Sequence, residues 1–228
     1  MSSKSTYFYE LTCKTPDEIE GTLQNKPELL QDKDENERFL LHWAALGGRE
    51  PLVQYILAHH PTQLNAEDDT KATPLILATL GGHQPIVQLL VARGATLNHR
   101  NWRGHSALQY ACSKGYHDIA RLLLEMGANV NVLDELNETP LHRATARGLE
   151  QIMGLLLAHG ANPNIANREG NTPLHLACEE DRRGCAVLLL KGGAYRHAQN
   201  RYEKTPLDLA SRSLQDVIAS EIDTRHAG

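Results

Sequence analysis

Residues 167–197 of this 228-residue chain read NREGNTPLHLACEEDRRGCAVLLLKGGAYRH, and this stretch decides the fold. It begins with a turn-rich segment in which Gly170 can adopt a positive φ. Thr172 can then cap a helix through its hydroxyl, and Pro173 can occupy the first helical position. After a polar break, a second apolar segment follows, and Gly192 ends it. The stretch therefore predicts two short helices joined by a turn.

The same pattern recurs along the chain at a nearly constant interval. The residues in the place of Thr172 are, in order, Phe39, Thr73, Ser106, Thr139, Thr172 and Thr205. The first interval is longer than the other four by a single position, and the four are equal, which is the signature of a repeat array. One repeat cannot bury its apolar face alone, so neighbours must stack. The expected fold is an all-α solenoid of seven helix-turn-helix repeats with turn-tip fingers.

The period divides residues 1–228 into the repeats of a single domain. Residues 7–33 are expected to form a degenerate N-terminal capping repeat, in which Thr15 and Glu18 make a capping box. Residues 200–228 are expected to form the C-terminal capping repeat. In the first full repeat Phe39 replaces the threonine, so that helix should lose its side-chain cap. The full repeats lie at 34–67, 68–100, 101–133, 134–166 and 167–199.

Three strings carry a resemblance to the ankyrin-repeat family. They are Thr-Pro-Leu-His-Leu-Ala at 172–177, Thr-Pro-Leu-His-Arg-Ala at 139–144 and Gly-Ala-Asn-Val-Asn at 127–131. The resemblance covers about residues 34–210. It implies that turn tips and first helices line one concave face, to which protein partners bind.

Composition narrows the class of protein further. The formal net charge of −5 argues against a nucleic-acid partner. No apolar run is long enough to cross a membrane, and the N-terminus lacks the apolar core of a signal peptide. We expect a monomer of the cytoplasm and nucleus that holds no cofactor. Its cysteines should be free thiols, as is usual in a reducing compartment: Cys13, Cys112, Cys178 and Cys185.

The sequence contains no convincing active site, so we expect a protein that is not an enzyme. It has no phosphate-binding glycine loop and no dinucleotide-binding fingerprint. Its 12 histidines invite a metal-site hypothesis. However, His42, His142 and His175 share one repeat register, which favours a role in the repeat over metal ligation.

A short motif allows a second interpretation of the fifth full repeat. Leu176, Cys178 and Glu180 match the Leu-x-Cys-x-Glu pattern that docks into the retinoblastoma pocket. Docking requires an extended peptide, whereas these residues lie on a predicted helix that faces the stack. The helical interpretation is favoured, because short motifs readily match by chance.

The candidate binding residues are those that vary between repeats while the scaffold stays constant. Their charges alternate along the chain from acidic to basic and back to acidic. Trp102 is the one large aromatic that we expect at an exposed tip, and tryptophan and arginine are enriched in binding hot spots. The candidates are Glu35, Arg38, Asp68, Asp69, Trp102, Arg103, His105, Lys114, Glu138, Arg147, Glu179 and Glu180.

Within the ankyrin-repeat family, the chain is similar to chaperones that assemble the proteasome regulatory particle. The similarity lies in its length, its degenerate first repeat and strings such as Leu-His-Trp-Ala at 41–44. It implies that the concave face grips the C-terminal domain of a proteasomal ATPase subunit. Arg38 and Lys114 would then pair with partner acids, and Asp69 with a partner arginine.

Two departures from that group leave other functions open. Asn36 stands where the group has an acid, and Ala72 stands where it has an aromatic residue. Cell-cycle regulators are further partners that the resemblance implies. The alternatives are another ankyrin adaptor, such as an inhibitor of a kinase or a transcription factor, and an enzyme.

Overall fold

The computed structural model describes residues 3–226, and within them the chain is all helical, with no strand. The predicted all-α class is therefore confirmed. Two short 3-10 helices, Pro27–Leu30 and Pro61–Asn65, accompany the α-helices. The α-helices are α1 (Lys4–Thr12), α2 (Pro16–Asn25), α3 (Leu40–Leu46), α4 (Glu50–His59), α5 (Pro74–Leu80), α6 (Gln84–Ala92), α7 (Ala107–Lys114), α8 (His117–Glu125), α9 (Pro140–Ala146), α10 (Glu150–Ala158), α11 (Pro173–Glu179), α12 (Arg183–Lys191), α13 (Pro206–Leu209) and α14 (Arg212–His226).

The chain forms two compact bodies, which we describe separately. Body 1 comprises Met1–Ala111 with Glu125–Ala128, and body 2 comprises Cys112–Leu124 with Asn129–Gly228. In both bodies a first helix packs on the second helix of its pair, as α3 does on α4 and α11 does on α12. Equivalent helices of neighbouring pairs also pack, as α3 does on α5 and α9 does on α11. This nearest-neighbour packing is how repeat proteins build a core.

The core of each body consists of aliphatic side chains at equivalent helix positions. Leucine and alanine dominate the buried positions of the first helices, and leucine, isoleucine and valine dominate those of the second helices. The second helices bury one face and leave the other to solvent, as α4 does, whereas a first helix such as α5 is buried along almost its whole length. Representative buried residues are Leu41, Ala44, Val53, Ile56, Leu75 and Ala78 in body 1, and Leu141, Ala144, Met153, Leu156, Leu174 and Ala177 in body 2.

The starts of the first helices follow the predicted capping pattern with one exception. Thr139 accepts a hydrogen bond from the backbone N–H of His142 at 3.3 Å, as an N-terminal cap should. Phe39 offers no side-chain cap, as predicted. Thr172 takes part in a capping box with His175, whose Nδ1 accepts from the backbone N–H of Thr172 at 3.1 Å and lies 2.9 Å from its hydroxyl, but the hydroxyl makes no direct cap bond of the kind that Thr139 makes.

Replacing Thr139 with alanine should lower the free energy of unfolding by about 1 kcal/mol, because the N–H of His142 loses its acceptor. Urea titrations would measure the change. Thr172→Ala is the matched control, since both hydroxyls contact a histidine ring but only Thr139 caps the backbone. Thr172→Ala should therefore cost less. An unchanged stability of Thr139→Ala would contradict the capping role.

Candidate functional site

An aspartate or asparagine at its start organises each turn tip, a role that the sequence analysis missed. Asp68 Oδ1 accepts hydrogen bonds from the backbone N–H groups of Thr70 at 2.9 Å and Ala72 at 2.8 Å. Two tip residues have the positive φ that such a tight turn needs: Lys71 at 58° in the tip that Asp68 starts, and Gly170 at 81° in the tip that Asn167 starts. These turns fix which tip side chains face solvent. The same pair of bonds is made by Asp34, Asn101, Asp134, Asn167 and Asn200.

Backbone hydrogen bonds join neighbouring tips in body 1 into a continuous row. The N–H of Asp69 donates to the carbonyl of Asn36 at 3.0 Å, and the N–H of Trp102 donates to the carbonyl of Thr70 at 3.0 Å. Trp102 is 56% exposed, and the Arg103 guanidinium lies 4.7 Å from its ring centroid. The row therefore contains an exposed acid, Asp69, and, in the next tip, an exposed aromatic residue, Trp102, with the cation Arg103.

The tips of body 2 form a second row with its own exposed apolar residues. The N–H of Arg168 donates to the carbonyl of Leu136 at 2.8 Å, and the N–H of Arg201 donates to the carbonyl of Glu169 at 3.0 Å. Leu136 is 52% exposed and Tyr202 is 70% exposed. The prediction that Trp102 is the one large aromatic at an exposed tip is therefore wrong. Leu136 and Tyr202 belong with the candidate binding residues, and their apolar character at a tip was the available signal.

The ends of the first helices in body 2 carry exposed charges of both signs. Lys114 is the last residue of α7, and Arg147 is the C-cap of α9. Glu179 ends α11 and Glu180 is its C-cap. All four residues are exposed, and Lys114 and Arg147 form no ion pair with any residue between 3 and 226. Lys114, Arg147 and Glu179 are therefore available to a partner, whereas Glu180 already lies 3.9 Å from the guanidinium of Arg182.

Glu35 is exposed, but its carboxylate already has partners. It accepts hydrogen bonds from the backbone N–H of Lys4 at 2.6 Å, and from the N–H and hydroxyl of Ser5 at 3.0 and 2.6 Å. These bonds, above all the one from the Ser5 hydroxyl, lower the pKa of Glu35 to about 2. Glu35 therefore holds the first turn of α1, where a carboxylate also meets the positive end of the helix dipole.

Arg38 and Asp68 form an internal ion pair at the start of the second full repeat. Arg38 Nε donates to Asp68 Oδ2 at 2.9 Å, and the guanidinium also lies 5.4 Å from the ring centroid of Trp43. The Asp68 side chain is 0% exposed and that of Arg38 is 20% exposed. Asp68 thus offers no surface to a partner, and we expect it to affect binding only through the position of Arg38.

Two other candidates are half-buried and make internal contacts. Glu138 pairs with Arg143, with Oε2 at 3.1 Å from Nε, while Arg143 also binds Asp134. Burial raises the pKa of Glu138 and the positive charge of Arg143 opposes that rise. The His105 ring packs edge-on against Tyr110 at 5.3 Å between centroids. Glu138 and His105 therefore make contacts within the repeat and expose only part of their side chains.

The histidines of the shared register stabilise the repeat, as predicted. Nδ1 of His142 accepts from the backbone N–H of Thr139 at 3.2 Å, and Nε2 donates to the carbonyl of Asn171 in the next repeat at 3.0 Å. His42 and His175 make the same two kinds of bond. Each ring is neutral and links its own helix start to the next repeat. No cluster that could hold a metal occurs within residues 3–226.

The cysteines are free thiols, and Cys13 is the exposed one among them. Burial raises the pKa of Cys112 and raises that of Cys178 to about 12, so both are weak nucleophiles. Cys178 also belongs to the Leu-x-Cys-x-Glu match. Because it lies within α11 and is 1% exposed, the folded chain does not present this motif as an extended peptide.

Helix pairs that recur at a nearly constant interval, with rows of exposed tips, define a helical repeat protein. The family described as ankyrin repeats (3 copies) matches residues 19–101, 41–134, 97–167 and 141–220. The chain belongs to the ankyrin-repeat family. Ankyrin repeats are typically non-enzymatic modules that bind protein partners, so this chain is a protein–protein interaction module. A comparison with curated proteins found no match.

The helices were also compared with the length and hydropathy of membrane-spanning helices. Among residues 3–226, no helix has the length and apolar character that crossing a bilayer requires.

Proposed function

We propose that the protein is a non-enzymatic assembly chaperone of the proteasome regulatory particle, acting as a monomer in the cytoplasm and nucleus. Its sequence resembles gankyrin, a proteasome assembly chaperone of the ankyrin-repeat family. The resemblance includes Leu-His-Trp-Ala at 41–44, Leu-His-Arg-Ala at 141–144 and Lys-Thr-Pro-Leu at 204–207. The partner would be the C-terminal domain of one base ATPase subunit. Holding that domain would block premature docking of the base on the core particle.

The observation that supports this proposal most directly is the set of unpaired basic residues at the first-helix ends. Lys114 and Arg147 are exposed, make no internal ion pair within the described residues and can therefore meet partner carboxylates. Charge-assisted hydrogen bonds of this kind contribute about 1.5–3 kcal/mol each when they are partly desolvated. Asp69 and Glu179 would receive basic residues of the partner, and Trp102 would pack on its apolar surface.

Reversing both bases, Lys114→Glu with Arg147→Glu, should weaken binding to the ATPase domain about a hundredfold or more. Calorimetry with each isolated proteasomal ATPase C-terminal domain at two salt concentrations would measure it. Binding by the wild type should weaken as salt rises, because exposed charges are screened. Arg93→Glu with Arg121→Glu is the control, because it makes the same charge change at second helices, where both residues are exposed. Arg121 pairs with Asp118 on its own helix, so the fold of this variant is checked by circular dichroism as well.

Arg38 is unsuitable for a charge reversal, because a glutamate there would face the buried carboxylate of Asp68. Unchanged affinity in the Lys114 and Arg147 variant, with a folded circular dichroism spectrum, would contradict the proposed site. If the wild type bound no proteasomal ATPase domain, the chaperone proposal would fail. Affinity purification from lysate would then identify the kinase, transcription factor or other protein that an ankyrin adaptor would bind.

A further inference from the structure

A pocket of ≈ 290 Å³ lies between α2 and α4 in body 1, away from the turn tips, and Gly48, which follows the C-cap of α3, lines one part of it. Its floor is apolar and consists of Ile19 and Leu23 from α2 and of Leu52 and Tyr55 from α4. The floor aliphatic residues are buried and Tyr55 is half-buried. Neither the tip rows nor the stacking of first helices uses this surface.

Two cations stand at one end of the pocket. Lys14 immediately precedes the cap of α2, and Arg49 is the N-cap residue of α4. Both side chains are exposed, and neither makes a hydrogen bond or an ion pair within the described part of the chain. Because both lining helices start here, their N-terminal ends add further positive potential.

Most of the acids near this end form hydrogen bonds within their own helices. Glu18 bonds to Thr15 in the capping box, and Glu50 accepts from Gln54 at 3.0 Å. Glu20 is the acid that lines the pocket itself. The hydrogen bonds from Thr15, and to a smaller extent the charge of Lys14, lower the pKa of Glu18. The cationic end therefore has two cations that form no ion pair, beside carboxylates that are hydrogen-bonded within their own helices, while Glu20 lies further along α2.

The size of the pocket indicates its occupant. Small-molecule and cofactor sites usually measure about 300–1,000 Å³, so this pocket is at the lower limit of that range. It can hold one or two large apolar side chains. An apolar floor with two unpaired cations at one end is complementary to a bulky apolar side chain with neighbouring carboxylates.

We propose that this pocket binds an acidic–apolar peptide segment of a partner protein. A leucine, phenylalanine or tryptophan of the segment packs on Leu23, Leu52 and Tyr55. One or two adjacent carboxylates bind Lys14 and Arg49. This surface is independent of the proposed chaperone function, so either can fail without the other.

A phage library of short random peptides, selected on the full-length protein, would test the proposal. Enriched peptides should pair glutamate or aspartate with a large apolar residue. Fluorescence anisotropy with a labelled enriched peptide should show that Lys14→Glu and Arg49→Glu each weaken binding about tenfold. Glu20→Lys should strengthen binding, because it removes the acid that lines the pocket. Arg93→Glu, an exposed reversal at the end of α6, should leave the affinity unchanged.

Three results would overturn the proposal. The enriched peptides could lack acidic residues, or their binding could be insensitive to Lys14→Glu and Arg49→Glu. The wild type could also self-associate in analytical ultracentrifugation while Arg49→Glu stays monomeric, in which case a second copy occupies the pocket. Because all the substituted residues are exposed, circular dichroism should show folded variants, and each result then bears on binding.

Discussion

Replacing Asp68 with alanine is expected to lower the free energy of unfolding by about 3–5 kcal/mol, the usual cost of removing one partner of a buried ion pair. The carboxylate has no exposed surface and accepts from Arg38, Thr70 and Ala72. Burial tends to raise its pKa, but the hydrogen bonds from Thr70, Ala72 and Arg38 hold the pKa below its usual value. The variant loses the turn and leaves Arg38 without its partner. Urea titration at neutral pH would measure the loss.

Asp68→Asn separates the contribution of the turn from the contribution of the ion pair with Arg38. Asn101 occupies the equivalent position in the next repeat and accepts the same two backbone N–H groups, so asparagine should preserve the turn. It removes the negative charge that Arg38 binds. We expect an intermediate loss of stability for Asp68→Asn. A loss of only about 0.5 kcal/mol in Asp68→Ala, typical of a surface substitution, would contradict this account.

The helix pairs could be predicted because their signals are local. Prolines, threonine caps and glycines recur at fixed spacing, and each acts within one turn of its own helix. Thr172 shows the limit of this reasoning. Thr139 and Thr172 have the same local sequence and both hydroxyls contact a histidine ring, yet only the Thr139 hydroxyl also accepts from the helix backbone. The sequence does not specify geometric differences this small.

The binding residues could be predicted only in part, because contacts between repeats determine which tip charges are free. Arg38 meets Asp68 and Glu35 meets Ser5 across about one repeat of sequence, and no local pattern indicates either contact. One signal for Asp68 was present. Its position recurs as aspartate or asparagine at the repeat period, and a position that keeps the period belongs to the scaffold.

The protein should lose stability steadily as the pH falls from 7 to 4.5, because buried neutral histidines cannot take up protons while folded. Burial is the main cause of the lowered pKa of His142, which is about 4, and it also lowers the pKa values of His42 and His175. An unfolded histidine titrates near 6.5. Between pH 6.5 and 4 the unfolded chain therefore binds more protons, and the free energy of unfolding rises with pH. His142 alone should account for about 2 kcal/mol between pH 7 and 4.5.

A reciprocal substitution tests this assignment. Gln109 occupies the register of His142 in another repeat, and its Oε1 accepts from the backbone N–H of Ser106 at 3.0 Å. His142→Gln should keep such a bond but remove the titrating group, so its stability should depend less on pH. Gln109→His should increase the dependence by a similar amount, since that site is also buried. Urea titrations at several pH values between 7 and 4.5 would measure both slopes. If His142→Gln kept the full wild-type slope, the acid sensitivity would come from groups other than this histidine.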